Sequence, residues 1–150
     1  MKLRAKTQNN MTIQEIQQEI VAEFEMFEDW MQRYEYMIDL GKDLPIIDDQ
    51  YKTDQNIIKG CQSKVWVHAE LEGDKLNFSA DSDAIITKGI IAILIRAFSG
   101  QHPAAIIDAD TEFIDKIGLK EHLSPTRANG LVSMIKQLKM YAVAYKTQLN

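Results

Sequence analysis

The first third of the chain places apolar residues at steps of three and four, which is the spacing of one face of an α-helix. From residue 12 onward this face consists of Ile13, Ile16, Ile20, Phe24, Phe27, Met31 and Tyr34. The helical pattern continues to Gly41, and Leu44-Pro45 ends it because proline lacks a backbone N–H and restricts the residue before it. One long broken helix and two separate helices fit this pattern equally well.

The middle of the chain changes to a two-residue period. Residues 65–71 and 76–80 alternate between apolar and polar side chains, as half-buried β-strands do. Glu72-Gly73-Asp74 between them predicts a hairpin turn. Residues 56–58 are a candidate third strand, and the polar residues 48–55 before them predict an exposed loop.

A long apolar run follows the hairpin. Residues 84–98 are apolar on nearly all sides, which is typical of a buried central helix, although their isoleucines also suit a strand. The length of the run and the Ser99-Gly100 stop favour a helix. Asp81-Ser82-Asp83 just before the run supplies side-chain oxygens that we expect to cap the helix.

The last part of the chain predicts short helices and then a long one. Residues 102–108 and 111–119 read as short helical pieces, and Ser124-Pro125 is a cap followed by a first-turn proline. The apolar stripe of the final helix is Leu131, Met134, Ile135, Leu138, Ala142 and Tyr145.

Together the patterns predict an α+β fold, with a small antiparallel sheet of two to three strands flanked by helices. We expect residues 1–11 to be a flexible tail and 12–150 to be one domain.

Composition narrows the range of partners. The chain has 22 acidic and 17 basic residues and a net charge of -5, so it offers no basic surface for nucleic acid or for an anionic membrane. The most apolar run, residues 90–98, contains Arg96 and is far shorter than the roughly 20 residues that cross a bilayer. A single cysteine cannot form an internal disulfide, and a lone exposed thiol would be oxidised in an oxidising compartment. We therefore expect the protein to be in the reducing cytoplasm.

The usual signatures of metal and nucleotide sites are missing from the sequence. His68, His102 and His122 fall in three different predicted elements, with only one cysteine to join them. The glycines have neither Walker-A nor dinucleotide-binding spacing. We therefore expect no metal and no cofactor of the protein's own.

The one cysteine is the strongest candidate for chemistry. Cys61 follows Gly60, which permits backbone angles closed to other residues. Its neighbours are polar and are unlikely to line a hydrophobic core: Lys59, Gln62, Ser63 and Lys64. These neighbours favour an exposed loop over a small buried cysteine. The two lysines also favour the thiolate, which is the nucleophilic form.

These residues leave three kinds of protein possible. A cysteine hydrolase needs a histidine base, for which His68 or His102 would have to serve, and neither has a recognisable context. Dithiol redox chemistry needs a second cysteine, which the chain lacks, whereas a persulfide carrier is favoured by a solitary thiol because no neighbouring thiol can release its sulfur. The third kind is an interaction module without chemistry, in which Cys61 is buried.

Several short stretches, in order and spacing, resemble the SufE family from about Met11 to Tyr145. The most distinctive is Gly60-Cys61-Gln62-Ser63 followed by Val65-Trp66. The others are residues 34–41 with Leu44-Pro45, Asp81-Ser82-Asp83-Ala84 with Lys88-Gly89, and residues 123–127 with Gly130-Leu131.

The resemblance implies a SufE/NifU-like fold and a sulfur acceptor in iron-sulfur cluster assembly. It implies that Cys61 takes persulfide sulfur from a SufS-like or CsdA-like cysteine desulfurase, stimulates that enzyme, and passes the sulfur to a SufBCD-like scaffold. Pyridoxal phosphate would belong to the desulfurase, and this chain would be an activating partner more than a stand-alone enzyme. We expect the thiol loop to fold back against an apolar surface when the protein is alone.

The resemblance also implies supporting roles around the thiol. Gly60, Gln62 and Ser63 would form the sulfur-bearing loop, Asp83 would help to anchor that loop, and Arg127 would lie near it or at the partner contact. The alternatives are that Asp83 is only a helix cap and that Arg127 is only a solvated residue in the first turn of a helix.

Overall fold

A computed structural model describes residues 11–149, so the predicted tail lies outside the described residues except for Met11. The elements in chain order are α1 Ile13–Glu25, α2 Trp30–Lys42, β1 Val65–Glu72, β2 Lys75–Ser82, α3 Ile85–Phe98, α4 Pro103–Asp108, α5 Glu112–Lys116, α6 Leu119–His122 and α7 Pro125–Leu149. This arrangement confirms the predicted α+β class. Within the described residues, no helix is both long enough and apolar enough to cross a bilayer.

The first helical segment forms two helices with a break between them. Thr12 caps α1 in a reciprocal pair with Glu15, and the Asp29 carboxylate caps α2 by accepting from the Gln32 amide at 2.9 Å. The break rotates the second helix, so Phe24 is fully buried whereas Met31 is 67% exposed. The predicted single apolar face is therefore wrong at Met31.

The strands form one antiparallel hairpin. Its register runs from the Val65–Ser82 pair to the Glu72–Lys75 pair, and Gly73 takes a φ of +65° in the turn, as predicted. The predicted third strand is reduced to a single bridge between Ile57 and Trp66, because residues 54–56 form a 3₁₀ turn. One face of the hairpin packs on the core through Val65, Val67, Ala69, Leu76, Phe78 and Ala80.

Helix α3 lies at the centre of the core, as its composition predicts. It is not capped as predicted, because its N-cap is Ala84, which makes no side-chain capping bond. The capping candidates have other partners. Strand β2 extends through Ser82, the Asp81 carboxylate lies 2.7 Å from the Lys52 ammonium, and Asp83 accepts from the Lys64 amide.

Helices α2 and α3 approach each other closely through two glycines. A Cβ on Gly89 would lie 2.5 Å from the Met37 carbonyl oxygen, and a Cβ on Gly41 would lie 3.2 Å from the Gly89 nitrogen. Both positions therefore need glycine so that the backbones can touch. This contact fixes α3 against the N-terminal helices.

A buried ion cluster joins α1 to α3. The Arg96 guanidinium, whose side chain is 9% exposed, lies 2.6 Å from both Glu19 Oε1 and Glu23 Oε2. Tyr36 also donates a hydrogen bond to Glu23. Removing one member of a buried ion pair is costly because the partner charge is left without compensation.

We expect Arg96→Ala to lower the free energy of unfolding by about 3 kcal/mol, because it leaves the partly buried carboxylates of Glu19 and Glu23 without their charge partner. Urea denaturation followed by circular dichroism measures this loss. The matched control is Lys42→Ala, which removes an ion pair with Asp39 whose two side chains are 73% and 67% exposed. That change should lower stability by less than about 1 kcal/mol. Equal losses in the two variants would show that the cluster is not a structural tie.

Candidate functional site

The loop that carries Cys61, residues 59–64, is closed firmly at its base. The Ile58 amide donates to the Val65 carbonyl at 2.8 Å. On the other side, Asp83 accepts from the Lys64 amide at 3.0 Å, and the Asp83 amide donates to the Lys64 carbonyl at 3.2 Å. The two ends of the loop are therefore held together by the hairpin and by the residue that follows β2.

Gly60 turns the loop back toward α7. Its φ is +94°, in the left-handed region, which confirms the predicted special backbone conformation. A Cβ at this position would also lie 2.5 Å from the Ser133 hydroxyl oxygen on α7. Any other residue would be strained in its backbone and would collide with the helix.

The tip of the loop is held weakly. Among residues 11–149, the hydrogen bonds of residues 59–63 are one from Cys61 Sγ to the Gly130 carbonyl at 3.6 Å and one from Thr87 Oγ1 to Ser63 Oγ at 3.5 Å. The hydroxyl pair is at the long end for its type, and a thiol is a weak donor at any distance. The loop thus combines a firm base with a tip that few contacts retain.

Cys61 is half-buried, so it is neither the exposed thiol that its polar neighbours favour nor a cysteine sealed in the core. Its sulfur lies against Gly130, where a Cβ would come within 3.4 Å of Sγ. The thiol lines a cavity of about 60 Å³ with Ile90 of α3 and Met134 of α7. The thiol therefore packs on the surface of α7 at Gly130.

Burial raises the pKa of the Cys61 thiol. The expected activation by Lys59 and Lys64 is wrong for this conformation, because both lysines are exposed and their charges are screened by water. With a raised pKa, the neutral thiol is the dominant form at neutral pH. The position of Cys61 in this structure therefore disfavours the nucleophilic thiolate.

Three other predicted residues lie around the same cavity. Gln62, Ser63 and Arg127 line it together with Cys61. Arg127 is exposed in the first turn of α7, and its Nη1 donates to the Tyr34 hydroxyl at 3.0 Å. The structure thus brings Arg127 to the loop over a large separation in sequence.

Gly60 and Asp83, the remaining predicted residues, lie at the two ends of the loop. Residues of the site that are absent from the sequence-based set include Tyr34, Thr87, Ile90, Gly130 and Met134. A glycine inside a predicted helix indicates that another part of the chain packs closely against the helix, and Gly130 is such a glycine. No comparable local feature of the sequence indicates that Tyr34 or Thr87 lies near Cys61.

The histidines lie in other environments. The His68 ring stacks on Tyr51 with centroids 3.6 Å apart, the His122 ring stacks on Trp30 at 4.1 Å, and His102 Nδ1 accepts from the Ala104 amide. Within the described chain, no histidine lines the Cys61 cavity, and no three potential ligands converge on a metal site. A hydrolase built on Cys61 would lack its general base in this arrangement.

The fold and site define a class of small α+β protein that carries a single thiol on a loop and shelters it against a helix. Residues 18–142 match the SufE family, described as an Fe-S metabolism associated domain. The chain belongs to the SufE family, and its role lies in iron-sulfur metabolism.

Curated relatives support the family assignment, and a solved structure shares the fold. An uncharacterised SufE-like protein of Rhizobium meliloti is 41% identical over 83% of this chain and 92% of its own length. The Arabidopsis thaliana SufE-like protein 1, chloroplastic/mitochondrial, is 37% identical over 84% of this chain but only 34% of its own length. The solution structure of a hypothetical protein from Thermus thermophilus shares the fold, with a TM-score of 0.74 and 20% identity over 88% of this chain and 96% of its own.

We expect the native protein to react slowly with iodoacetamide at pH 7, because the reagent attacks the thiolate and burial raises the thiol pKa. The rate should increase with pH, with a midpoint above that of the urea-unfolded chain, which lies near pH 8.5. Mass spectrometry of alkylated Cys61 gives both profiles. A native midpoint at or below the unfolded one would contradict the burial of the thiol.

The base of the loop can be tested separately. Asp83→Ala removes the acceptor for the Lys64 amide, and the loss of about 1 kcal/mol should raise the alkylation rate of Cys61 about fivefold. Asp83→Asn keeps a side-chain oxygen at the same place and should react at nearly the original rate. If the two variants react equally fast, Asp83 does not restrain the loop through this bond.

Proposed function

We propose that this protein is the sulfur acceptor of a cysteine desulfurase, that it stimulates that enzyme, and that it carries sulfur on Cys61 to iron-sulfur cluster assembly. The observation that carries the proposal is the loop itself. The chain's only thiol lies at a weakly held tip whose base is firm. Such a loop can leave its cavity and enter a partner without unfolding the domain.

The proposed transfer conserves atoms and electrons. The Cys61 thiolate attacks the outer sulfur of a persulfide on the desulfurase, a new sulfur–sulfur bond forms on Cys61, and the enzyme's cysteine leaves as its thiolate. The sulfane sulfur changes carrier, and no external oxidant or reductant is needed. Pyridoxal phosphate takes part only in the desulfurase, which would be SufS-like or CsdA-like.

Movement of the loop would also activate the nucleophile. Burial in the cavity raises the pKa of the Cys61 thiol. When the loop leaves the cavity, this pKa would fall toward its ordinary value. Lys59 and Lys64 flank the thiol in sequence and would then accompany it into the partner. Nucleophilic reactivity and access would therefore increase together.

The same cavity supports the carrying of the sulfur after transfer. Its volume of about 60 Å³ is large enough for one further sulfur atom beside Cys61. With no other cysteine in the chain, a persulfide returned to this place meets no internal thiol that would release its sulfur. The cargo could then reach a SufBCD-like scaffold intact.

The test is mass spectrometry of the protein after incubation with a cysteine desulfurase, pyridoxal phosphate and cysteine. We expect one added sulfur atom on the peptide that contains Cys61, and its loss on treatment with dithiothreitol. We also expect faster sulfide production by the enzyme when this protein is present. Cys61→Ser should fold normally but lose both effects, and full stimulation by that variant would refute the acceptor role.

A further inference from the structure

Thr87 places a buried hydroxyl in the wall of the Cys61 cavity. It lies in the first turn of α3, is 6% exposed, and lines the cavity together with Ile90 one turn further along the helix. Gln17 is buried to a similar degree, at 7%, and its side-chain amide donates to the Asp110 carbonyl at 3.0 Å. The hydroxyl of Thr87 has no hydrogen bond of that quality.

The partner of the Thr87 hydroxyl is distant. Its hydrogen bond to Ser63 Oγ is 3.5 Å long, at the limit for two hydroxyl groups. A threonine within a helix often bonds instead to the carbonyl four residues earlier, but within residues 11–149 Thr87 Oγ1 makes no such bond. Burying a hydroxyl is unfavourable unless it is well bonded. A threonine at this position therefore indicates a group in the cavity that accepts a hydrogen bond.

The cavity has room for such a group beside the thiol. Its volume is about 60 Å³, and it lies between the loop, α3 and α7. A sulfur atom added to Cys61 would lie about 2 Å beyond Sγ, the length of a sulfur–sulfur bond. Ile90 and Met134 provide apolar surroundings that suit a large polarisable atom, and Thr87 provides a donor.

The outer sulfur of a persulfide is a suitable acceptor because it is negatively charged at neutral pH, since a hydropersulfide is a stronger acid than the thiol from which it forms. Hydrogen bonds to a charged acceptor are stronger than those between neutral groups. The positive end of the α3 dipole acts in the same direction, and its N-cap Ala84 has no side-chain oxygen. Arg127 also lines the cavity, but it is exposed and water screens its charge.

We propose that the Thr87 hydroxyl donates a hydrogen bond to the outer sulfur of the Cys61 persulfide, and so holds the loaded loop in its cavity more firmly than the empty loop. This inference rests on the proposed function. Thr87 belongs to α3 and not to the loop, so the bond forms only while the loop is in place. Thr87 is therefore a positioning residue for the sulfur in transit, and an acceptor must break this bond to receive it.

The test loads the sulfur chemically, so that it does not depend on a desulfurase. The Cys61 thiolate takes one sulfur atom from sodium tetrasulfide, which leaves as the trisulfide dianion, and Cys61 becomes the perthiolate. Mass spectrometry after gel filtration confirms one added sulfur. Absorbance of the perthiolate against pH gives the pKa of the persulfide. Cyanide then removes the sulfur as thiocyanate and restores the thiolate, which gives a rate of sulfur loss.

Thr87→Val keeps the shape of the side chain and replaces a weakly bonded hydroxyl with a methyl group, so this variant should fold normally. Because it lacks a donor to the charged form, its persulfide should titrate about one pH unit higher and lose sulfur to cyanide about tenfold faster. Thr87→Ser keeps the hydroxyl and should resemble the original protein. Iodoacetamide should alkylate unloaded Cys61 at the same rate in all three proteins.

Ser133→Ala is the matched control, because Ser133 faces Gly60 from outside the cavity lining and its hydroxyl should not affect the persulfide. An unchanged persulfide pKa and rate of sulfur loss in Thr87→Val would overturn the inference. Alkylation of the unloaded thiol that accelerates as much as sulfur loss would also overturn it, since Thr87 would then only restrain the loop. Transfer from a desulfurase decides the acceptor role separately, because chemical loading bypasses that step.

Discussion

The contact between the thiol loop and helix α7 depends on Gly60, which places no side chain between the loop and the helix. Gly60 adopts a left-handed backbone conformation, and a Cβ on it would lie 2.5 Å from Ser133 Oγ, whereas Gly130 provides a surface of α7 on which the Cys61 sulfur packs. Neither surface could approach the other with a Cβ at Gly60. The resting position of the thiol is therefore set by the backbone, and specific side-chain bonds contribute little to it.

For a thiol that carries sulfur, as proposed for Cys61, this arrangement would meet two opposing demands. A thiol that is always exposed is open to oxidation, and one that is sealed in a core cannot react. Half-burial raises the pKa of Cys61 while the few weak contacts at the loop tip keep the energy needed to release it small. The strong hydrogen bonds are placed at the base, where Ile58, Lys64 and Asp83 hold the loop ends together.

The scaffold behind the loop is correspondingly rigid. Helix α3 supplies one wall of the cavity, and it is fixed by the Gly41–Gly89 approach at one end and by the Arg96 ion cluster toward the other. Helix α7 supplies the opposite wall of the cavity through Gly130 and Met134. On another side of the same helix, Val132, Met140 and Val143 are exposed.

Periodicity along the chain determined the helices, the hairpin and its turn, because those patterns report which face of each element meets the core. The solitary cysteine after a glycine also identified the thiol loop, since its backbone requirement and its chemistry are local properties. Sequence did not determine how far Cys61 is buried, because that depends on Gly130 from a distant helix. It also misassigned Asp81-Ser82-Asp83 as a cap, since the partners of Asp81 and Asp83, Lys52 and Lys64, come from segments that only the tertiary fold brings alongside β2. Local patterns specify elements, whereas solvation and long-range hydrogen bonds are decided when the elements pack together.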